Sequence, residues 1–169
     1  MNSSKPAILL LALLGVAILQ VLYYHPKLPD TIAHHFGASG AADAWGSKTT
    51  FLLVDLALMV FLVALFLLLS RLPFKIPDNM WNIPHREYWL APERRQKTAQ
   101  MTASYLLWLG AFTVLFLRVL MQQVYAANLA GPPQRLEHIW LVLSIFLAGT
   151  GVLTWRFCRG FYHQDVFTG

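Results

Sequence analysis

The side chains best suited to chemistry fall mostly in two short segments between apolar stretches of this 169-residue chain. The histidines and carboxylates of these segments include His25, His34, His35, Asp43, Glu137 and His138. Imidazole and carboxylate groups are zinc ligands, so a metal site is one chemistry they could support. The spacing argues against it, because adjacent residues such as His34 and His35 point to opposite faces of a strand. We predict no metal and no other cofactor.

Two further ionisable residues, Asp55 and Arg118, lie inside the apolar stretches. A charged group at membrane depth costs about 2.5–3.5 kcal/mol on insertion scales, so it usually has a partner or lines a cavity. We predict an Asp55–Arg118 ion pair, with Ala111, Val114 and Gln122 on the same stripe as Arg118 and facing the bundle. The pair either fixes helix packing or forms a gate or binding site, and Arg118 could instead snorkel to the interface alone.

The elements that must position these groups are four apolar runs, at residues 7–24, 51–70, 101–124 and 139–158. Each has about the 20 residues that a helix needs to cross the hydrocarbon core. Hydrophobic residues make up 57% of the chain and charged residues 12%, which excludes a soluble globule, a disordered chain and a disulfide-stapled domain. The predicted fold is all-α, a four-helix transmembrane bundle with a short structured extracytoplasmic loop.

The distribution of Lys and Arg predicts the orientation. Nine of the 13 fall on the side of the middle loop, residues 71–100, and three on the opposite side. The positive-inside rule then places both termini and the middle loop in the cytoplasm. We predict a multi-pass protein of the bacterial cytoplasmic (inner) membrane with three regions, residues 1–70, 71–100 and 101–169.

The first outer loop, residues 25–50, is patterned. Residues 31–36 alternate, with Ile32, His34 and Phe36 on one side, which predicts a short strand and a hairpin. Ser47 is predicted to cap the second span. The aromatic residues of this loop either pin it to the bundle or form a recognition surface.

The same loop carries the pattern L-P-x-x-I-x-x-H-F-x-x-x-G-x-x-D-x-W-x-S-K. The matching residues are Leu28, Pro29, Ile32, His35, Phe36, Gly40, Asp43, Trp45, Ser47 and Lys48. With its flanking spans this region, roughly residues 1–70, resembles the DUF1648 domain of bacterial multipass proteins, which include the SdpI-like immunity proteins. The resemblance implies a membrane protein that acts against a secreted toxic peptide, and in some relatives also sequesters a repressor.

The middle loop interleaves aromatic and basic residues, which are Trp81, Arg86, Tyr88, Trp89, Arg94 and Arg95. Next to two spans this mixture favours interfacial anchoring on anionic lipid over nucleic-acid binding, and a docking surface for a cytoplasmic partner is the alternative. Pro92 is expected to begin the helix that becomes the third span. In the fourth span a stripe of Ser144, Ala148 and Val152 predicts close packing within the bundle, with a homodimer contact as the alternative.

From these features we predict a non-enzymatic membrane protein that binds a peptide or a membrane-protein partner at its outer face, as an immunity or sensing protein does. The predicted binding residues are His34, His35, Phe36, Asp43, Trp45, Lys48, Asp55 and Arg118. Two alternatives stay open: a transporter or accessory subunit with a polar path at Asp55 and Arg118, and an outer-face enzyme using His35 and Asp43. No nucleophile elbow or phosphate loop supports the enzyme.

Overall fold

A computed structural model describes residues 4–162 of the chain. The elements, in chain order, are α1 (Ser4–Tyr24), β1 (Thr31–Phe36), β2 (Ala42–Ser47), α2 (Lys48–Leu69), two 3₁₀ turns (Leu72–Phe74 and Asp78–Met80), α3 (Arg86–Trp89), α4 (Pro92–Ala130) and α5 (Ile139–Tyr162). Four helices, α1, α2, α4 and α5, are long and apolar enough to cross a membrane. This confirms the predicted four-helix architecture. The predicted cytoplasmic tail runs to Gly169, so its last part lies outside the described residues.

The boundaries of the helices follow local chemistry. Ser47 caps α2 as predicted, since its side chain accepts from the backbone N–H of Thr50 at 3.4 Å. Pro92 occupies the first turn of α4, where its missing N–H would have had no partner in any case. At the other end Gly131, with φ of 80°, follows the last residue of α4. The resulting helix is much longer than the predicted third span because it continues past the apolar run at both ends.

The core is formed by α1, α2 and α4, which pack against one another. The apolar side chains buried between them are Leu10, Leu13, Ala17, Met59, Val63, Leu107, Ala111 and Val114. At the contact between α2 and α4, Gly110 lies directly against the ring of Phe66, and a Cβ atom there would overlap that ring. A small residue therefore permits the two helices to approach closely.

The last helix, α5, packs against α4 largely through stacked rings. Phe116 and Phe146 stack at 4.3 Å, and Tyr105 and Phe157 stack at 4.1 Å. The predicted small-residue stripe does not make this contact: Ser144, Ala148 and Val152 are all exposed. The prediction of bundle packing was wrong for that stripe, because its three side chains face away from α4, whereas the neighbouring Gly149 lies against the ring of Phe112 on α4.

The strands β1 and β2 form an antiparallel hairpin at one end of the bundle, called here the hairpin end. The opposite end, with residues 71–91, is called the basic end. Thr31 pairs with Ser47 and Ala33 with Trp45, but His34 is skipped in the register. This bulge breaks the predicted alternation, since Ile32 and Ala33 are both buried while His34 and His35 are both exposed.

Candidate functional site

The predicted ion pair between Asp55 and Arg118 is confirmed. Asp55 lies on α2 and Arg118 on α4, and both side chains are almost fully buried, at 4% and 3% exposed. Two nitrogens of the guanidinium bind the two carboxylate oxygens: Nη1 donates to Oδ2 at 3.0 Å and Nη2 donates to Oδ1. Such a bidentate geometry compensates part of the cost of removing two charges from water.

Further polar side chains extend this pair toward the hairpin end. The hydroxyl of Tyr125 donates to Asp55 Oδ2 at 3.0 Å, and Arg118 Nη1 donates to Gln20 Oε1 at 3.2 Å. Gln20 in turn donates to Gln122 Oε1 at 3.1 Å. The network therefore joins α1, α2 and α4 at one level of the bundle.

The network reaches the surface beside α1. Gln122 donates to the hydroxyl of Tyr24 at 2.6 Å, and the rings of Tyr24 and Tyr125 stack at 4.6 Å. Gln122 is exposed, unlike the other members of its predicted stripe. One buried donor remains, since Arg118 Nε has no partner among the described residues.

An asparagine attaches the hairpin to the bundle. Asn128 accepts from the backbone N–H of Ala33 at 2.7 Å and donates to the carbonyl of the same residue at 2.9 Å. It also donates to Val124 one turn earlier on α4. A side-chain amide thus satisfies both outward peptide groups of Ala33, as a neighbouring strand would.

The segment between α4 and α5 holds the turn of the hairpin. Leu136 donates to the carbonyl of Gly40 at 2.8 Å, and Ala42 donates to the carbonyl of Gln134 at 3.1 Å. Gly40 has φ of 79° and lies against the Leu136 carbonyl, so a Cβ there would collide with it. On the first turn of α5, Trp140 Nε1 donates to the carbonyl of Ala38 at 3.0 Å.

Two of the predicted binding residues serve this attachment. Phe36 is partly buried against a cluster that contains Val124 and Leu136. Lys48 donates to the carbonyl of Leu28 at 3.0 Å and pairs with Asp30 at 3.0 Å. Both side chains stabilise the loop, which supports the interpretation that they hold it in place.

The remaining predicted binding residues form an exposed group on the hairpin, called here the hairpin surface: His34, His35, Asp43 and Trp45. His35 Nδ1 contacts Asp43 Oδ1 in a short hydrogen bond, although the two side chains are 67% and 52% exposed. The ring of His34 lies over Gly46, where a Cβ would be 3.0 Å from it. Trp45 leaves about half of its surface uncovered.

The structure therefore divides the predicted site residues into an exposed set on the hairpin, two residues that hold the loop, and the buried pair beneath them. Sequence reasoning missed Asn128, which attaches the hairpin to α4, and Tyr125 and Gln20, which bond the buried pair. Gln20 carried a usable signal as a polar residue inside an apolar run. Within residues 4–162 no three His, Cys, Asp or Glu side chains gather closely enough to hold a metal ion.

The basic end is also built around polar contacts. Arg95 donates to the carbonyls of Pro73 and Ile76 at 2.8 and 2.9 Å, and it pairs with Asp78 at 2.7 Å. The indole N–H of Trp89 donates to the carbonyl of Phe161 at 3.0 Å.

Two of the aromatic residues of this loop are not surface anchors. Trp81 and Trp89 are both buried in the protein, so the prediction of lipid anchoring was wrong for these two side chains. The guanidinium of Arg95 on α4 lies over the ring of Trp81, and the ring of Trp89 lies edge-on to the ring of Phe161 on α5.

The fold and the site together define a multi-pass helical membrane protein with a hairpin fixed to one end of its bundle. Residues 8–61, about a third of the chain, match the model of a family described as Domain of unknown function (DUF1648). The match covers most of α1, the hairpin and the first part of α2, as the loop pattern predicted. No curated protein and no solved structure matched the chain.

Proposed function

We propose that this protein binds an extended peptide at its outer face through the hairpin surface, without catalysing a reaction, as an immunity or sensing protein of the SdpI-like kind does. The proposal includes the cytoplasmic orientation of the basic end and residence in a bacterial inner membrane. The excess of Lys and Arg in residues 71–100 supports that orientation.

The observation that carries the proposal is that the hairpin is fixed while its functional side chains are left uncovered. Asn128 and Leu136 bond to its backbone, and Lys48 donates to the carbonyl of Leu28 in the segment that precedes β1. Yet His35 and Asp43 remain more than half exposed. Rigid presentation of exposed polar and aromatic groups lowers the entropic cost of binding a partner.

The backbone of β2 offers a mode of binding. Since Asn128 takes both peptide groups of Ala33, the residue opposite it in the antiparallel ladder, Trp45, also directs its N–H and C=O away from β1. Outside the hairpin no backbone group within residues 4–162 pairs with Trp45. A peptide can add there as a third strand, beside the short bridge that Arg135 already makes to Ala41.

The test uses a random peptide library displayed on phage and selected against the protein in nanodiscs. We expect enriched peptides whose binding drops at least tenfold in Trp45→Pro, which removes the outward N–H, and in the double variant His35→Ala, Asp43→Ala. Exposed Gln96 on α4 gives the control variant Gln96→Ala, which should bind as the wild type does. Enrichment no greater than on empty nanodiscs would sink the proposal.

A transport role is the second candidate, and the polar network favours it. Exposed Gln122 connects through Gln20 to the buried Arg118 and Asp55, which gives polar groups from the surface to membrane depth. Proteoliposomes with a proton or sodium gradient test this candidate. Flux that is present in the wild type and lost in Asp55→Asn would favour transport, and equal flux in wild-type and empty liposomes would exclude it.

A further inference from the structure

A cavity of about 290 Å³ lies at the basic end, between the end of α2, the two 3₁₀ turns and α4. Its walls are mostly apolar and include Leu69, Leu72, Ile76, Met80, Leu106 and Phe157. The volume lies near the lower limit of ligand pockets, about 300 Å³. This cavity is separate from the hairpin surface, so nothing in the proposed peptide binding uses it.

One polar group in the wall lacks a partner. Trp81 lines the cavity and is only 6% exposed, and its Nε1–H has no hydrogen-bond acceptor among residues 4–162. Buried donors are nearly always paired in folded proteins. A ligand that brings an acceptor oxygen to this part of the wall would satisfy the unpaired indole N–H.

The wall is held by the protein itself. Arg95 donates to the carbonyls of Pro73 and Ile76, both in the cavity wall. Its guanidinium also lies 5.1 Å from the centre of the Trp81 ring. Arg95 therefore contacts three of the residues that line the cavity and helps to hold them in place.

The first 3₁₀ turn, which contributes Leu72 and Pro73 to the wall, also carries exposed apolar and cationic groups next to them in the chain. Leu72 and Phe74 are about half exposed on the first 3₁₀ turn. The flanking Arg71 and Lys75 are exposed, and the structure gives neither side chain an ion-pair partner within the described part of the chain. This turn follows directly after α2, where the chain leaves the apolar span, so its exposed groups lie at the level of lipid headgroups.

We propose that this cavity binds an anionic glycerophospholipid from the leaflet at the basic end. One acyl chain fills the apolar space, an ester carbonyl accepts the Trp81 N–H, and the phosphate lies beside Arg71 and Lys75. Charge complementarity selects the anionic headgroup, while the buried N–H selects an ester oxygen over a bare hydrocarbon chain.

Native mass spectrometry of the protein released from nanodiscs of equal parts phosphatidylglycerol and phosphatidylcholine tests the proposal. The wild type should retain one phosphatidylglycerol per chain. Trp81→Phe keeps the ring but removes the donor, and we expect five- to tenfold lower occupancy. The double variant Arg71→Gln, Lys75→Gln should retain lipid but lose the preference for phosphatidylglycerol. Leu106→Trp, which fills the cavity, should retain no lipid.

Trp155→Phe is the matched control, because Trp155 is an exposed indole on α5 toward the same end, and it should retain lipid as the wild type does. The proposal is overturned by wild-type protein that retains no lipid or only detergent, by equal retention of both phospholipids, or by unchanged occupancy in Trp81→Phe. Thermal unfolding of each variant establishes that it is folded, and Leu106→Trp provides an independent result if Trp81→Phe is not.

Discussion

The two ends of the bundle are held by contacts of different range along the chain. At the hairpin end Asn128 bonds Ala33, which is 95 residues away, and Arg118 bonds Asp55, which is 63 residues away. At the basic end Arg95 bonds backbone carbonyls 22 and 19 residues away, whereas the indole of Trp89 bonds Phe161, which is 72 residues away.

This difference shows that the hairpin depends on the complete bundle, whereas the part of the basic loop held by Arg95 depends on segments close to it in the chain. Both Asn128 and Arg118 lie outside the residues 8–61 that match the family model. The matched segment therefore holds the exposed groups, whereas Asn128, which fixes the backbone of Ala33, lies outside it. Loss of a long-range contact should release the hairpin, and loss of a local contact should release only the loop.

Removal of Arg118 should give the largest effect. In Arg118→Leu the carboxylate of Asp55 stays buried without its cation, which costs about 3–5 kcal/mol. Chemical denaturation in bicelles measures this free energy of unfolding. Arg156→Leu, which changes an exposed arginine on α5, is the control and should cost less than about 0.5 kcal/mol.

The double variant Asp55→Leu, Arg118→Leu sharpens this result. Replacement of both members of a buried pair by apolar residues is often nearly neutral, so much of the lost stability should return. Stability as low as in the single variant would show that the pair itself, with its bonds to Gln20 and Tyr125, is needed for helix packing.

Asn128→Leu should produce the next largest effect, about 2–3 kcal/mol, because it leaves both outward peptide groups of Ala33 unpaired. Hydrogen exchange followed by mass spectrometry should show faster exchange in β1 and unchanged exchange in residues 71–91. Gln96→Leu on the same helix is the control. Unchanged exchange in β1 would contradict the role given to Asn128.

Arg95→Lys should lower the free energy of unfolding by about 1–2 kcal/mol, because a lysine cannot bind three acceptors with one planar group. Its effect on hydrogen exchange should be the reverse of that of Asn128→Leu. Exchange should rise in residues 71–91 and stay constant in the hairpin. If exchange in the hairpin rose as well, the two ends would be coupled and the comparison between them would fail.

The smallest effect on stability is expected from His35→Ala, less than about 0.5 kcal/mol, because the His35–Asp43 pair is mostly exposed. The same variant, combined with Asp43→Ala, should weaken peptide binding at least tenfold. A stability loss above 1 kcal/mol, measured by the same denaturation, would assign the pair to the fold and not to recognition.

The sequence predicted the helical architecture and the Asp55–Arg118 pair because both follow from strong, one-dimensional signals. Runs of about 20 apolar residues predict spans, and isolated charges within them predict partners. The DUF1648 resemblance came from a loop pattern with ten matching residues and was confirmed over residues 8–61.

The rest could not be predicted because it depends on distant neighbours. Asn128 looks like an ordinary polar residue near a helix end until the backbone of Ala33 is placed against it. Trp81 and Trp89 are of a residue type that often anchors proteins at the lipid interface, yet both rings are buried in the structure. The bulge at His34 arises from the register between strands, which the alternation of one strand does not contain.

The length of α4 has one more consequence. Its 39 residues extend over about 58 Å at 1.5 Å per residue, and the hydrocarbon layer is about 30 Å thick. Tilting alone would need about 60°, beyond the usual range of 0–40°, so part of the helix must lie outside the hydrocarbon layer. Because α4 contacts both the hairpin and the basic loop, its length sets the distance between them. A thicker or thinner bilayer would change where the membrane interface lies along α4, while the distance between the hairpin and the basic loop would stay constant.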